Sequence, residues 1–323
     1  MRATEFMIQL SKQLIQEREV AESTANQYIQ SLYSLNDKKP FNNLAWLKKT
    51  DVIDARLAEF APATQRGYVS AIVSVLTPNK DKTAYKKLYQ HYYDIMMKGS
   101  KEAREAKTDG VKSEKQKDNW LEWEDVEKKK NELLEECKKF SGRKHITPAE
   151  YDTLLKCVVL SLYTEIQPRR NQDYMDMYVV KKWDDSLPKD KNYLDNSKSA
   201  KQFVFNKYKT AKKYGEQKAT IPDSLASVIG IYLKHHPLVN AKIKEAKFLV
   251  AHDGSPITSV NAITRILNKI FGKKIGSSML RHIWITGKYG SLKSEMKKDA
   301  DAMGHSVSEQ QNVYNVPETI QHI

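Results

Sequence analysis

Apolar side chains recur at helical spacing through the first 97 residues of the chain. Such spacing of three and four residues predicts amphipathic helices that bury one face in a shared core. The positions that carry this pattern are Phe6, Met7, Leu10 and Leu14, then Tyr28, Leu32 and Leu35, then Tyr68, Ile72, Val73 and Leu76, and finally Tyr85, Leu88, Tyr92 and Met96. We therefore expect residues 1–97 to form an all-helical domain.

The helical pattern fades between Lys98 and Asn119, where lysine and glutamate are frequent. Gly99 and Gly110 lie in this segment, and glycine within a polar run is typical of turns and loops. We expect residues 98–119 to be a basic linker. Residues 120–323 then form a second domain.

The second domain contains a strong helix start at Thr147. Thr147 can cap the helix, Pro148 suits its first position, and Glu150 completes a capping box. The helix should end near Pro168, because the residue before a proline resists helical geometry. This places Arg169 and Arg170 at a helix boundary.

Short strands and further helices follow. Tyr178–Val180 reads as one strand, and Phe203–Phe205 and Ala219–Ile221 read as the two arms of a β-hairpin that contains Lys209. The remaining chain predicts a helix that Ser259 caps and three short helices near residues 280–285, 294–303 and 309–314. The fold class is therefore mainly α with a small antiparallel β-sheet, and the second domain is mixed α+β.

Composition narrows the possible partners and compartments. The chain has 323 residues, 40% of them apolar, and a net charge of +14, which favours a polyanionic partner. It has only two cysteines, Cys137 and Cys157, without metal-ligand spacing, so we expect reduced thiols in an intracellular protein. We find no signal peptide, no apolar run that spans a membrane and no metal-ligand set. We predict no metal, no cofactor and no small-molecule substrate.

Five residues in a particular order suggest chemistry at a phosphate. They are Arg170, Lys209, Arg281, His305 and Tyr314, the last nine positions after the histidine. Arginine binds phosphate oxygens through two parallel hydrogen bonds and stays charged at any working pH. A tyrosine hydroxyl is a nucleophile that can attack a phosphate held in this way. Taken singly, each residue is more simply a surface charge or a packing group.

The motifs that hold these residues resemble the catalytic domain of the tyrosine recombinase (phage integrase) superfamily. The matching segments are residues 168–173, 208–210, 280–282 and 304–306 with Tyr314. The likeness is to recombinases of eukaryotic DNA viruses and Crypton-type elements. The helical N-terminal part resembles the family's core-binding (SAM-like) DNA-binding domain. The family has an acid three residues after its first arginine, which favours Arg170 with Asp173 over Arg169 with Gln172.

The resemblance implies a role for each residue. Arg170 and Arg281 would clamp the phosphate, and Lys209 would protonate the departing 5′ oxygen. His305 would hydrogen-bond a non-bridging oxygen, and Tyr314 would attack to give a 3′-phosphotyrosyl link. We expect Arg169 to be a phosphate contact or a substitute for Arg170.

One position departs from the family pattern. Where the family has histidine or lysine three residues before its second arginine, this chain has Ser278. Serine is a poor proton acceptor, so His305 or water would then serve as the base. His282 is expected to be a structural neighbour of Arg281.

The resemblance implies a site-specific DNA recombinase, an integrase of a virus or mobile element. It would act on double-stranded DNA as a homotetramer on two sites, in a host nucleus or viral factory if viral. Its affinity should depend steeply on salt, because phosphate contacts dominate binding. The alternatives are a type IB topoisomerase, a catalytically decayed DNA-binding protein and a metal-dependent nuclease.

Overall fold

The computed structural model describes residues 3–108, 112, 114–197, 201–257 and 259–311. The chain forms two compact units, Met1–Val111 and Lys112–Ile323. Each unit has its own hydrophobic core. The division at residue 111 falls inside the segment predicted as a linker.

The first unit is helical. Its central helix is α4, because most residues of its second half are buried on all sides, as expected of a helix surrounded by others. Helices α2 and α5 pack against it, and Leu32 and Tyr92 contribute fully buried side chains. The α-helices are α1 (Glu5–Arg18), α2 (Glu22–Leu35), α3 (Thr50–Ala58), α4 (Pro62–Leu76) and α5 (Thr83–Thr108), with short 3₁₀ helices at Ala45–Lys48 and Thr77–Asn79.

The second unit is built around α8. Every residue of α8 from Cys157 to Tyr163 is buried, and α7, α11, α13 and α14 all pack against the helix. The predicted capping box at Thr147 and the cap at Ser259 are both confirmed. The helices are α6 (Glu114–Asn119), α7 (Trp123–Lys138), α8 (Pro148–Thr164), α9 (Asn171–Met175), α10 (Ala211–Tyr214), α11 (Asp223–His235), α12 (Pro237–Asn240), α13 (Val260–Phe271), α14 (Ser277–Met303) and α15 (Val307–Glu309).

A four-stranded sheet in the order β1-β2-β3-β4 covers one side of this unit. The strands are β1 (Met177–Val180), β2 (Asn192–Asp195), β3 (Gln202–Phe205) and β4 (Gln217–Thr220). Strands β3 and β4 form the predicted antiparallel hairpin, in which Phe203 pairs with Ala219. Strand β1 instead pairs with β2 in parallel, with Met177 opposite Asn192.

The predicted mainly α architecture with a small sheet is confirmed. The sheet is mixed rather than purely antiparallel, because β1 and β2 run in the same direction. The sequence did not predict β2. Its four residues are all buried, so they lack the alternation of apolar and polar positions that identifies a half-exposed strand.

The predicted linker is largely helical in its described part. Helix α5 continues through residues 98–108, and α6 occupies Glu114–Asn119. Lysine, glutamate and alanine favour helix even where no apolar stripe marks it, and a single glycine such as Gly99 does not end a helix. The loss of periodicity therefore marked a loss of burial and not an end of helical structure.

One continuous helix replaces two of the predicted short helices. Helix α14 runs through Gly287 and Gly290, which separate the predicted segments at residues 280–285 and 294–303. The third predicted helix lies partly outside the described residues, and α15 covers its start. Lysine, glutamate, alanine and methionine after Gly290 have high helix propensity, which offsets the cost of two glycines.

Gly287 and Gly290 should respond oppositely to alanine. A Cβ at Gly287 would lie 2.7 Å from the Trp123 Cβ, whereas one at Gly290 would meet Thr286 Cγ2 at 3.6 Å. We expect Gly287→Ala to lower the free energy of unfolding by about 1–3 kcal/mol. Gly290→Ala should raise it by about 0.5–1 kcal/mol, since alanine is the better helix former. Chemical denaturation of both variants checks this, and a stable Gly287→Ala protein would contradict the close packing of α14 on α7.

Among the described residues, no helix is both long enough and apolar enough to cross a membrane.

Candidate active site

The two adjacent arginines lie in the turn between α8 and α9. Helix α8 ends at Thr164, and Pro168 prevents its continuation. Arg170 is the N-cap of α9, with extended backbone dihedrals of φ −77° and ψ 151°. Successive extended residues direct their side chains differently. Arg169 and Arg170 therefore have different surroundings.

Arg169 is held by packing and by an ion pair. Its Nε donates to Asp173 Oδ2 at 3.0 Å, and its Nη1 donates to Gln217 Oε1 at 2.8 Å. Its guanidinium lies 3.8 Å from the centre of the Phe205 ring and 5.0 Å from that of Tyr208. Arg169 thus ties α9 to the β-hairpin, with two of its five N–H donors used in these bonds.

Asp173 is the buried acid of this region, with a side chain only 4% exposed. Burial raises the pKa of its carboxyl group, and the guanidinium groups of Arg169 and Arg170 oppose that rise. The acid lies three residues after Arg170, as in the family pattern, but its direct ion pair is with Arg169. The buried carboxylate therefore holds the Arg169 side chain in place through this ion pair.

Arg281 reaches the same region from α14. Its Nη2 donates to Ser278 Oγ at 3.1 Å, one helical turn earlier. Arg170 and Arg281 line a single open cavity of about 310 Å³, together with Arg169, Asp173 and parts of the hairpin. Two arginines that line one cavity can offer guanidinium donors to an anion with several oxygens, such as a phosphate.

Behind the arginines, hydrogen bonds join three helices. Tyr163 on α8 donates its hydroxyl to Asn171 Oδ1 at 2.6 Å, and Asn171 Nδ2 donates to Thr264 Oγ1 at 3.0 Å on α13. Burial raises the pKa of the Tyr163 hydroxyl well above its usual value, so this phenol stays protonated as a donor. Sequence patterns did not single out Tyr163, Asn171 or Thr264, because each looks like an ordinary core or cap residue.

The hairpin loop brings polar and aromatic groups to the cavity. Tyr208, Thr210 and Tyr214 line it, and the Tyr208 hydroxyl donates to the Gly215 carbonyl at 2.7 Å. Lys209 lies between two of these lining residues, but its own side chain is exposed and does not line the cavity. The loop thus places the lysine backbone at the rim of the cavity.

His305 lies far from the arginines within one chain. It follows the end of α14. That helix rises about 1.5 Å per residue, so Arg281 and Met303 are about 33 Å apart along its axis. The His305 ring contacts the Ser306 carbonyl at 3.3 Å. His282, next to Arg281, is exposed. Tyr314 lies outside the described residues.

The structure therefore brings together only part of the predicted set. Arg170 and Arg281 meet at one cavity beside Arg169, with Ser278 bonded to Arg281, and Lys209 lies at the rim. His305 is separate from them. The catalytic roles of all these residues stay predictions. Within the described ranges, no group of three or more histidine, cysteine, aspartate or glutamate side chains is arranged to hold a metal ion.

The chain was compared with protein-family models, curated proteins and solved structures. No protein-family model matches the chain, and no curated protein matches its sequence. Among solved structures, the crystal structure of XerA recombinase matches over 98% of this chain and 94% of that chain. The two are 12% identical, and the TM-score is 0.33. A score of this size does not by itself establish a shared fold.

Proposed function

We propose that this protein is a site-specific DNA recombinase of the tyrosine type, which cuts and rejoins DNA without an external energy source. The observation that carries the proposal is the single cavity lined by Arg170 and Arg281, two residues 111 positions apart in the sequence. Two fixed cations stabilise the negative charge that spreads over a phosphoryl group during transfer. The order of motifs that ends at Tyr314 adds the nucleophile.

The proposed reaction is a transesterification. The Tyr314 phenol gives up its proton to His305 or to water as its oxygen attacks the phosphorus held by Arg170 and Arg281, and the bond from phosphorus to the 5′ oxygen breaks. Lys209 supplies a proton to that 5′ oxygen, and His305 donates a hydrogen bond to a non-bridging oxygen. A 5′ hydroxyl then reverses the step on the 3′-phosphotyrosyl link, so bond energy is conserved.

The length of α14 adds a requirement to this proposal. The part of α14 from Arg281 to Met303 spans about 33 Å along the helix axis, and His305 lies beside the last turn of that helix. Assembly of all five residues at one phosphate therefore needs a break in α14 or a second copy of the chain. The described helix already contains two glycines, Gly287 and Gly290, where a break would cost least.

The proposed partner is double-stranded DNA, bound by a homotetramer on two sites. The net charge of +14 supports a polyanionic partner. Integration of a viral or mobile element, in a host nucleus or viral factory, is the biological role that the sequence resemblance suggests. The protein would need no metal, because its charge stabilisation comes from guanidinium groups.

A covalent trapping assay tests the proposal. Duplexes would be selected from a random pool by binding, and each would carry a nick close to the cleavage site. Cleavage then releases a short fragment that carries the 5′ hydroxyl. Once this fragment diffuses away, rejoining fails and the adduct accumulates. We expect a 3′-linked protein–DNA adduct that resists SDS and forms in EDTA. Relaxation of a plasmid lacking the selected sequence would instead indicate a type IB topoisomerase. Binding without any adduct would indicate a non-catalytic DNA-binding protein, and cutting that EDTA abolishes would indicate a nuclease.

A further inference from the structure

Asn192 makes a dense set of hydrogen bonds for one side chain. It is the first residue of β2 and is 1% exposed. Its Nδ2 donates to the Asp173 carbonyl and to the Lys207 carbonyl, both at 2.9 Å. Its Oδ1 accepts from the Asn206 amide at 2.9 Å and from the Lys207 amide at 2.8 Å. An amide offers two donors and two acceptor lone pairs, so every bond that Asn192 can make is made to backbone.

These four bonds join two parts of the proposed active site. Asp173 lies in α9, the helix that Arg170 caps. Lys207 lies two residues before Lys209, where β3 has ended and the hairpin loop begins. Asn192 therefore fixes the start of the Lys209 loop to the arginine helix by direct bonds. A second side-chain bond supports the same attachment, because Asn206 Nδ2 donates to the Lys191 carbonyl at 3.0 Å.

Arg169 forms a parallel link on the cavity side. It bonds Asp173 and Gln217, and its guanidinium packs against Phe205. This link holds the two hairpin strands to α9, whereas Asn192 holds the loop backbone that carries the lysine. Arg169 reaches the loop only through the ring of Tyr208, whereas Asn192 bonds the loop backbone itself at Lys207, so loss of Asn192 should affect the lysine backbone more directly.

We infer that Asn192 is a positioning residue for the proposed general acid. It holds the backbone at Lys207 so that the Lys209 ammonium can reach the departing oxygen of a phosphate bound by Arg170. The inference rests on the proposed function and adds a residue that the motifs do not contain. A shift of about 1 Å in a catalytic group lowers a rate about 10²-fold, so loose attachment of this loop has a measurable cost.

The test uses DNA in which sulfur replaces the 5′ bridging oxygen at the cleaved bond. The tyrosine oxygen still bonds to phosphorus, but the bond that breaks is phosphorus to sulfur, and its electron pair stays on sulfur. A thiolate leaves without protonation, because a thiol pKa is about 8.5, whereas an alkoxide needs a proton. A defect in the general acid therefore disappears on the sulfur substrate, and a general loss of structure does not.

We expect Asn192→Asp to cleave ordinary DNA about 10²-fold more slowly than wild type and to cleave sulfur DNA within about threefold of it. Aspartate keeps an acceptor for the two loop amides but loses both donations. Lys209→Ala should show the same pattern with a loss of about 10²–10⁴-fold.

The size of the initial burst on sulfur DNA counts active molecules, so partial unfolding lowers the burst and not the rate. If the aspartate variant does not fold, Asn192→Ser replaces it in the same two assays, because the serine side chain is too short to make all four bonds.

Tyr232→Phe is the matched control. It removes a buried hydroxyl that donates to the Phe248 carbonyl at 3.0 Å and accepts from the Val250 amide at 3.1 Å, away from the hairpin loop. It should lower stability and leave both cleavage rates unchanged. If Asn192→Asp is equally slow on both substrates, or Lys209→Ala is not rescued by sulfur, the inference is wrong while the recombinase proposal stands. If wild type forms no adduct on either substrate, the proposed function fails and the inference fails with it.

Discussion

Replacing Tyr314 with phenylalanine will abolish the covalent protein–DNA adduct and leave DNA binding intact. The substitution removes one oxygen, the atom that would become bonded to phosphorus, and a phenyl ring has no nucleophile to replace it. Binding should persist, because affinity for DNA comes mainly from cationic contacts with the phosphates. Trapping on nicked DNA measures the adduct, and a gel-shift titration at fixed salt measures binding.

Tyr214 supplies a stringent control for that experiment. Its side chain lines the arginine cavity and is 57% exposed, so it is a second phenol near the proposed phosphate site. Tyr214→Phe should keep the adduct at the wild-type level. Loss of the adduct in Tyr214→Phe, with retention in Tyr314→Phe, would transfer the role of nucleophile to the hairpin loop.

Local signals in the sequence predicted the parts of the fold that local physics determines. Thr147 and Ser259 begin helices because their side chains cap the first backbone amides, and the hairpin follows from two short apolar runs around a polar loop. The continuity of α14 was not predicted, since the sequence pattern predicted two short helices with Gly287 and Gly290 between them. Whether a glycine interrupts a helix depends on propensity summed over its neighbours.

Tertiary contacts determine the rest of the site, and no local pattern reports them. The spacing to Asp173 separated Arg170 from Arg169 in the sequence, but nothing there indicated that Arg169 packs on Phe205 and bonds Gln217, residues 36 and 48 positions away. Asn192 looks like a loop residue, because asparagine is depleted in strands. Its role depends on three backbone segments that meet only after folding. The sequence thus identified the arginines of the cavity and their partners Asp173 and Ser278, but not the more distant groups Phe205, Gln217 and Asn192.

Replacing Arg281 with alanine will lower the cleavage rate about 10²–10³-fold, since one fixed donor to the developing charge is lost. Arg281→Lys should recover only part of that loss, because an ammonium cannot offer two parallel hydrogen bonds. Arg265→Ala removes the same charge from an exposed position on α13 outside the cavity, and it should change the rate less than about threefold. Single-turnover cleavage at saturating protein separates these effects from binding. Equal losses in Arg265→Ala and Arg281→Ala would mean that charge alone matters, and not the cavity.

Mixing the slow Arg281→Ala variant with the Tyr314→Phe variant extends the Arg281 experiment to the position of His305. In one chain, about 33 Å of helix separates Arg281 from Met303, and His305 and then Tyr314 follow the end of that helix in the sequence. If a second copy completes the site, a mixture of Arg281→Ala and Tyr314→Phe will form adduct, because the intact arginine of one chain meets the intact tyrosine of the other. If α14 breaks and closes on its own chain, the mixture will form adduct only at the residual rate of Arg281→Ala alone, since no chain has both the arginine and the tyrosine. Labelling only the Arg281→Ala protein shows directly which chain carries the DNA.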